Sequence, residues 1–178
     1  QGEVRIEEGP CSLIIAGDSF RYEFDKRTGL FSSMACKNRN LLTRPMGWNV
    51  YRAPTDNDQY IDKQWTAVGY DRPTVKVYSV EASRGESGGA VLTCRLGIAA
   101  VSIAKFLDIT AQWHIDAQGR IDCELHCQRD ARFPYLPRFG LRLFLPKDFG
   151  FAEYFGYGPT ESYVDKHQAT RLGVYAQT

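Results

Sequence analysis

The sequence predicts an all-β chain of antiparallel sheets packed as a sandwich. Three observations carry that expectation. Apolar residues recur at every second position over most of the chain, glycine-bearing turns separate these runs, and only one short stretch has helical periodicity. The 178 residues, 43% of them hydrophobic, suit a single domain over 1–178 with a real core. They are too few for a (β/α)8 barrel of about 250 residues.

Taken in order, residues 4–7 and 12–16 are the first strand candidates. Over 19–25, Phe20, Tyr22 and Phe24 alternate with polar neighbours, as a half-buried strand requires. Lys26-Arg27-Thr28-Gly29 then turns the chain into 30–34, with Gly29 free to take positive φ. Residues 60–68 read as a short helix, because Ile61, Trp65 and Val68 share a helical face and Gly69 stands where a C-terminal cap belongs. Residues 75–82 and 90–98 flank a flexible hairpin tip at 84–89. A second clear hairpin joins 109–115 to 120–128 through Asp116-Ala117-Gln118-Gly119. Ile121, Cys123, Leu125 and Cys127 lie on one face of its return strand, and Asp122, Glu124, His126 and Gln128 on the other. His114 and His126 are placed to face each other across it. Residues 133–137 form a stiff Pro-rich crossover, followed by strand candidates at 140–145 and 152–157.

Composition narrows the partners. Twenty-two Lys+Arg against 21 Asp+Glu leave a charge of +1, so no field recruits nucleic acid or an anionic membrane. No apolar run approaches the roughly 20 residues of a spanning helix, and no N-terminal signal pattern is visible. Gln1 begins the sequence and both methionines, Met34 and Met46, are internal, which suggests an excised piece of a longer chain. The five cysteines are read as buried free thiols of a reducing compartment. Cys123 and Cys127, four apart on one strand, would lie about 13 Å from each other, too far for a disulfide. No CxxC-like pair suggests zinc.

No GxSxG elbow, HExxH or Gly-rich phosphate loop is present, and the three histidines are scattered. Two loops stand out instead. In the first, 52–58, Asp56, Asn57 and Asp58 gather acceptors beside Pro54 and Arg52, with Trp65 following. Clustered oxygens suit a sugar or cation rim. The favoured reading is structural: the acidic and amide side chains cap local N–H groups while Arg52 pairs with one carboxylate. The second loop, 154–166, contains Gly156, Tyr157, Gly158, Pro159, Glu161, Tyr163 and Asp165. A glycosidase pair of carboxylates needs about 5–5.5 Å across the scissile bond, which close sequence neighbours seldom supply. The favoured reading is a glycine-tightened corner with Glu161 held by Arg171 or Lys166.

These loops also carry a resemblance. Phe24-Asp25-Lys26-Arg27-Thr28-Gly29-Leu30, Tyr51-Arg52-Ala53-Pro54-Thr55-Asp56-Asn57-Asp58, Trp65 with Ala67 and Gly69, Leu136-Pro137-Arg138-Phe139-Gly140, and the stretch from Tyr154 to Tyr163 follow one pattern. From about Leu13 to Tyr175 the chain resembles the C-terminal, small-chain-like domain of glycoside hydrolase family 2 β-galactosidases. The resemblance implies an antiparallel β-supersandwich, shaped like galactose mutarotases and here truncated, that packs on a separate (β/α)8 barrel. In that family the barrel precedes this domain and carries both catalytic glutamates and the metal sites, with Mg2+ and often Na+. It therefore implies no catalytic residue, metal or cofactor in this segment, and a domain that continues past Thr178. The parent enzyme would hydrolyse terminal non-reducing β-D-galactosides with retention. This segment would be non-catalytic and would shape the substrate rim.

Residues taken as rim or family-motif candidates are Arg52, Asp56, Asn57, Asp58, Trp65, Tyr157, Glu161 and Tyr163. Tyr157 departs from the family, where Arg is frequent between the two glycines. The alternative is a carbohydrate-binding module, with Tyr60, Trp65, Tyr157 and Tyr163 as stacking faces. Mutarotase activity is not expected, since His114, His126 and His167 fall outside the matched motifs. The expected partners are the rest of the same chain, a β-galactoside, and a second copy through exposed sheet edges. Neither nucleic acid nor membrane is expected, and a cytoplasmic parent fits the unpaired cysteines.

Overall fold

A computed structural model describes residues 3–160, 162 and 167–177. It is all-β apart from one six-residue helix and three single 3-10 turns among the described residues. The chain divides into two compact units, Gln1–Phe144 and Leu145–Thr178.

In the first unit, β1 (Arg5–Glu8), β2 (Ser12–Ala16), β3 (Phe20–Asp25), β4 (Leu30–Cys36) and β5 (Arg39–Asn40) form an antiparallel meander in chain order. After β6 (Gly47–Asn49) and the helix α1 (Asp62–Ala67) come β7 (Pro73–Arg84), β8 (Ala90–Ala100), β9 (Ile103–Ile115) and β10 (Ile121–Arg129). These four make the second meander, again antiparallel. A short β11 (Gly140–Arg142) returns to pair with β6.

The two meanders pack face to face because each presents an alternating apolar row. Phe20, Tyr22 and Phe24 are buried on β3, as are Leu92, Cys94, Leu96 and Ile98 on β8. Each such aliphatic or aromatic burial contributes about 1.5–3 kcal/mol. Phe24 and Phe31 from the first sheet meet Trp113 of β9 edge-on, at centroid distances of 6.3 and 5.2 Å. The indole N–H of Trp113 is buried there with no hydrogen-bond partner among the described residues.

Two hairpin turns rest on the opposite sheet. Gly29 has φ +70°, and a Cβ there would stand 2.7 Å from Cys94 Sγ and 2.9 Å from Leu96 Cδ2. Gly119 mirrors it: φ is +87°, a Cβ would meet the ring of Phe20 at 2.7 Å, and its carbonyl accepts the Tyr22 hydroxyl at 2.7 Å. A bulge between Val77 and Ser79 absorbs one residue, so that Val75, Val77 and Val80 all oppose inward residues of β8.

In the second unit, β12 (Ala152–Gly158) and β13 (Arg171–Gln177) pair as an antiparallel ribbon. Tyr154 and Tyr175 pack at 5.6 Å on one face. Phe155, Tyr157, Leu172 and Val174 are exposed on the other.

Several expectations change. His114 opposes Asp122 and His126 opposes Thr110, so the two histidines do not face each other; pairing of Ile115 with Ile121 across a five-residue connection puts them on different cross-strand rows. All five cysteines are free, but only Cys94 is buried; Cys11, Cys123 and Cys127 are exposed and Cys36 is half-buried. Cys123 and Cys127 alternate inward on β10, the edge of its sheet, where burial is incomplete. The strand expected over 140–145 ends at Arg142, and β5, β6 and β13 were not foreseen.

Candidate functional site

The loop at 52–58 is built around one carboxylate. Thr55 precedes a single 3-10 turn, Asp56–Asp58, and its backbone N–H and hydroxyl donate to Asp58 Oδ2 at 2.7 and 2.9 Å. Arg52 grips the same carboxylate with both terminal nitrogens, Nη2 reaching Oδ1 at 3.1 Å and Nη1 reaching Oδ2. Planar fork-to-carboxylate geometry makes this a strong, directional pair. Asp58 is buried and Arg52 is largely so. The Arg52 hydrogen bonds, then that from the Thr55 backbone, hold the Asp58 carboxyl well below the usual carboxylate range. An acid so held stays ionised and does not donate a proton near neutrality.

A second set of bonds ties this loop to the Pro-rich crossover. Arg52 Nε donates to the Pro137 carbonyl at 3.2 Å, Trp65 Nε1 to that of Tyr135 at 3.0 Å, and the Tyr70 hydroxyl to that of Pro134 at 2.7 Å. Segments rich in proline lack N–H donors and cannot complete a ladder, so their carbonyls need partners from elsewhere. Here α1 supplies one: Trp65 lies on its inward face, and Gly69, with φ +75°, ends it so that Tyr70 follows directly into the core. Tyr70 and Phe106 pack at 4.6 Å beneath the crossover. The Arg52 guanidinium stands 5.4 Å from the Trp65 ring.

Of the residues singled out in the sequence, Arg52, Asp58 and Trp65 thus converge on one cluster, whose chemistry is internal. Trp65 is wholly buried and offers no face to a sugar, which corrects its place among the stacking candidates. Asp56 and Asn57 are exposed on the turn itself, and Tyr60 is 80% exposed. Tyr157 lies on the exposed face of the second unit's ribbon. Glu161 and Tyr163, with Asp165 and Lys166, lie outside the described residues. Tyr70 was not picked out in the sequence. Its signal is position: an aromatic immediately after a helix-ending glycine, with a donor to satisfy.

Comparison with known proteins follows the same stretch. A family model described as the beta-galactosidase small chain matches residues 16–178. A protein named beta-galactosidase from Actinobacillus pleuropneumoniae is 35% identical over 173 residues, which cover 97% of this chain and 17% of that protein. The beta-galactosidase of Staphylococcus xylosus is 34% identical over 167 residues, covering 93% and 16%. That of Kluyveromyces lactis is 25% identical over 176 residues, covering 96% and 17%. The chain therefore spans about one-sixth of the length of the curated relatives it matches.

Proposed function

Because this chain belongs to the beta-galactosidase small-chain family, we propose that it serves as a non-catalytic domain of a longer β-galactosidase. In this reading the whole protein hydrolyses terminal non-reducing β-D-galactosides with retention, through two carboxylates on a separate barrel. The domain packs on that barrel and shapes the rim of its site, and the enzyme's magnesium and sodium bind outside this chain. The observation that carries the reading is the state of the motif loop. Arg52 and Asp58 neutralise each other and fix the crossover at Pro137, so the loop is a rigid shaped surface with Asp56 and Asn57 exposed on it. Five free thiols support a cytoplasmic site for the parent.

The test is direct. The purified 178-residue chain should leave a chromogenic β-galactoside intact, with or without magnesium. Turnover that scales with its concentration and survives repurification removes the non-catalytic assignment. We further propose that the isolated chain self-associates through exposed sheet surface, supported by the apolar ribbon face of Phe155, Tyr157, Leu172 and Val174.

A further inference from the structure

The outer face of the four-stranded sheet carries a feature that the reading above leaves unused. The bulge in β7 turns Tyr78, its extra residue, out of the ladder and onto this face, where it is 52% exposed. Gly97 of β8 makes room for it. A Cβ at Gly97 would stand 2.7 Å from the Tyr78 hydroxyl and 2.5 Å from Lys105 Cδ. The ammonium groups of Lys76 and Lys105 lie 5.8 and 5.3 Å from the ring centroid, and Lys105 is itself held by Asp108 at 2.5 Å. The ring is thus fixed over a gap in the sheet's own side-chain layer. Bulges are used in this way to re-aim a side chain next to a site.

Beside that ring is a concavity of about 320 Å3, lined by Tyr78, Arg95, Asp108, Thr110, His126 and Gln128. Register puts its polar groups in two adjacent rows. Arg95, Thr110 and His126 oppose one another across β8, β9 and β10, and Asp108 opposes Gln128 in the next row. No hydrogen bond or ion pair with any described residue engages the side chains of Arg95, Thr110, His126 or Gln128. Elsewhere on the chain, half-buried Asp25, Asp116 and Asp130 are each bonded to a neighbouring arginine. Four polar groups with no partner among the described residues, set beside one aromatic in a dip of this size, leave hydrogen-bonding capacity for a small polar ligand.

We propose that this concavity is a saccharide subsite, in which one hexose ring rests against Tyr78 and its hydroxyls bond to Arg95, Thr110, His126 and Gln128. Sugar hydroxyls both donate and accept, as do threonine, glutamine and neutral histidine, so the groups match in kind. The carbon face of a pyranose suits an aromatic platform. Asp108 on the same wall is already held by Lys105, and Arg95 beside it would attract a simple anion, so inorganic phosphate is the alternative occupant the experiment tests. The proposal stands apart from catalysis: the site lies on this chain's own sheet and needs no second domain.

The experiment is an amide NMR titration of the 178-residue chain with methyl β-galactoside at millimolar concentration, with inorganic phosphate as the second arm. The sugar should shift the amides around Arg95, Thr110, His126 and Gln128. Tyr78→Ala should weaken binding about tenfold. Should Tyr78→Ala fail to fold, Gln128→Ala on the exposed edge strand decides: binding weakens severalfold while the melting temperature stays at the wild-type value. Absence of shifts in the folded wild type, shifts clustered elsewhere, unchanged affinity in Gln128→Ala, or a response to phosphate but not to sugar each overturns the proposal.

Discussion

Asp58 receives bonds from Arg52 and Thr55 that exist only in the folded chain, and its carboxyl is accordingly held below its unfolded value. A depressed carboxyl stabilises the fold fully above its unfolded pKa of about 3.9 and loses that contribution as pH falls from there toward the folded value. Asp58→Asn should therefore lower the melting temperature by several degrees at pH 7, leaving Arg52 buried without its counter-charge. The gap between variant and wild type should narrow as pH drops below about 4. Thermal melts of both proteins across pH 2.5–7 check this, and a gap independent of pH would show that shape rather than charge is lost. Cys94 gives the opposite sign. Burial pushes its thiol up to about 12. Unfolding then releases a proton at any pH between the ordinary thiol value of about 8.5 and that figure, so stability declines as pH rises through this range. Cys94→Ala should be less stable at neutrality, through its cavity, but should show a shallower alkaline decline in urea titrations.

At the scale of elements, the crossover and its donors form a unit. Tyr70→Phe keeps the packing against Phe106 and removes the bond to the Pro134 carbonyl. It should cost about 1–2 kcal/mol by urea unfolding, since a part-buried acceptor loses its partner. Gly29→Ala tests the other junction. A left-handed φ combined with contacts under 3 Å to Cys94 and Leu96 should cost roughly 2–4 kcal/mol. Full wild-type stability in either variant would remove the packing account.

These elements also show what a sequence makes legible. Strands β2 and β3 and the 109–115 part of β9 were readable because each has a one-sided burial that imprints period two on its own residues, whereas adjacent buried Phe106 and Leu107 break that period in the rest of β9. Strands β5 and β6 are two and three residues long; β6 exists because β11, some ninety positions on, pairs with it. The Arg52–Asp58 pair was readable for a similar reason, since its partners are six positions apart. The carbonyls that receive Arg52, Trp65 and Tyr70 lie 64 to 85 residues away, and Trp65 looked open to solvent until the crossover covered it. Local order is written locally. Long-range acceptors are backbone atoms, which every residue type has, so no side-chain pattern marks them.

At the scale of the whole molecule, the two units differ in how they bury apolar surface. The first closes two sheets over a shared core. The second leaves Phe155, Tyr157, Leu172 and Val174 at 72, 57, 59 and 64% exposure, all on one side of a two-stranded ribbon. Phe155 opposes Val174 and Tyr157 opposes Leu172, so the four side chains form one continuous patch rather than scattered exposure. An isolated ribbon is only marginally stable in water, and a two-fold contact between copies would cover the same patch on both. The 178-residue chain should therefore show a concentration-dependent mass above that of the monomer in light scattering. Phe155→Ser with Val174→Thr, substituted across one pair, should return it to monomer mass without changing the core, because neither residue is buried. A monodisperse wild-type monomer at high concentration sinks this prediction. An oligomer that persists in the double variant sinks its assignment to the ribbon, and would move the contact to a sheet edge such as β10, whose inward face carries the exposed Cys123 and Cys127.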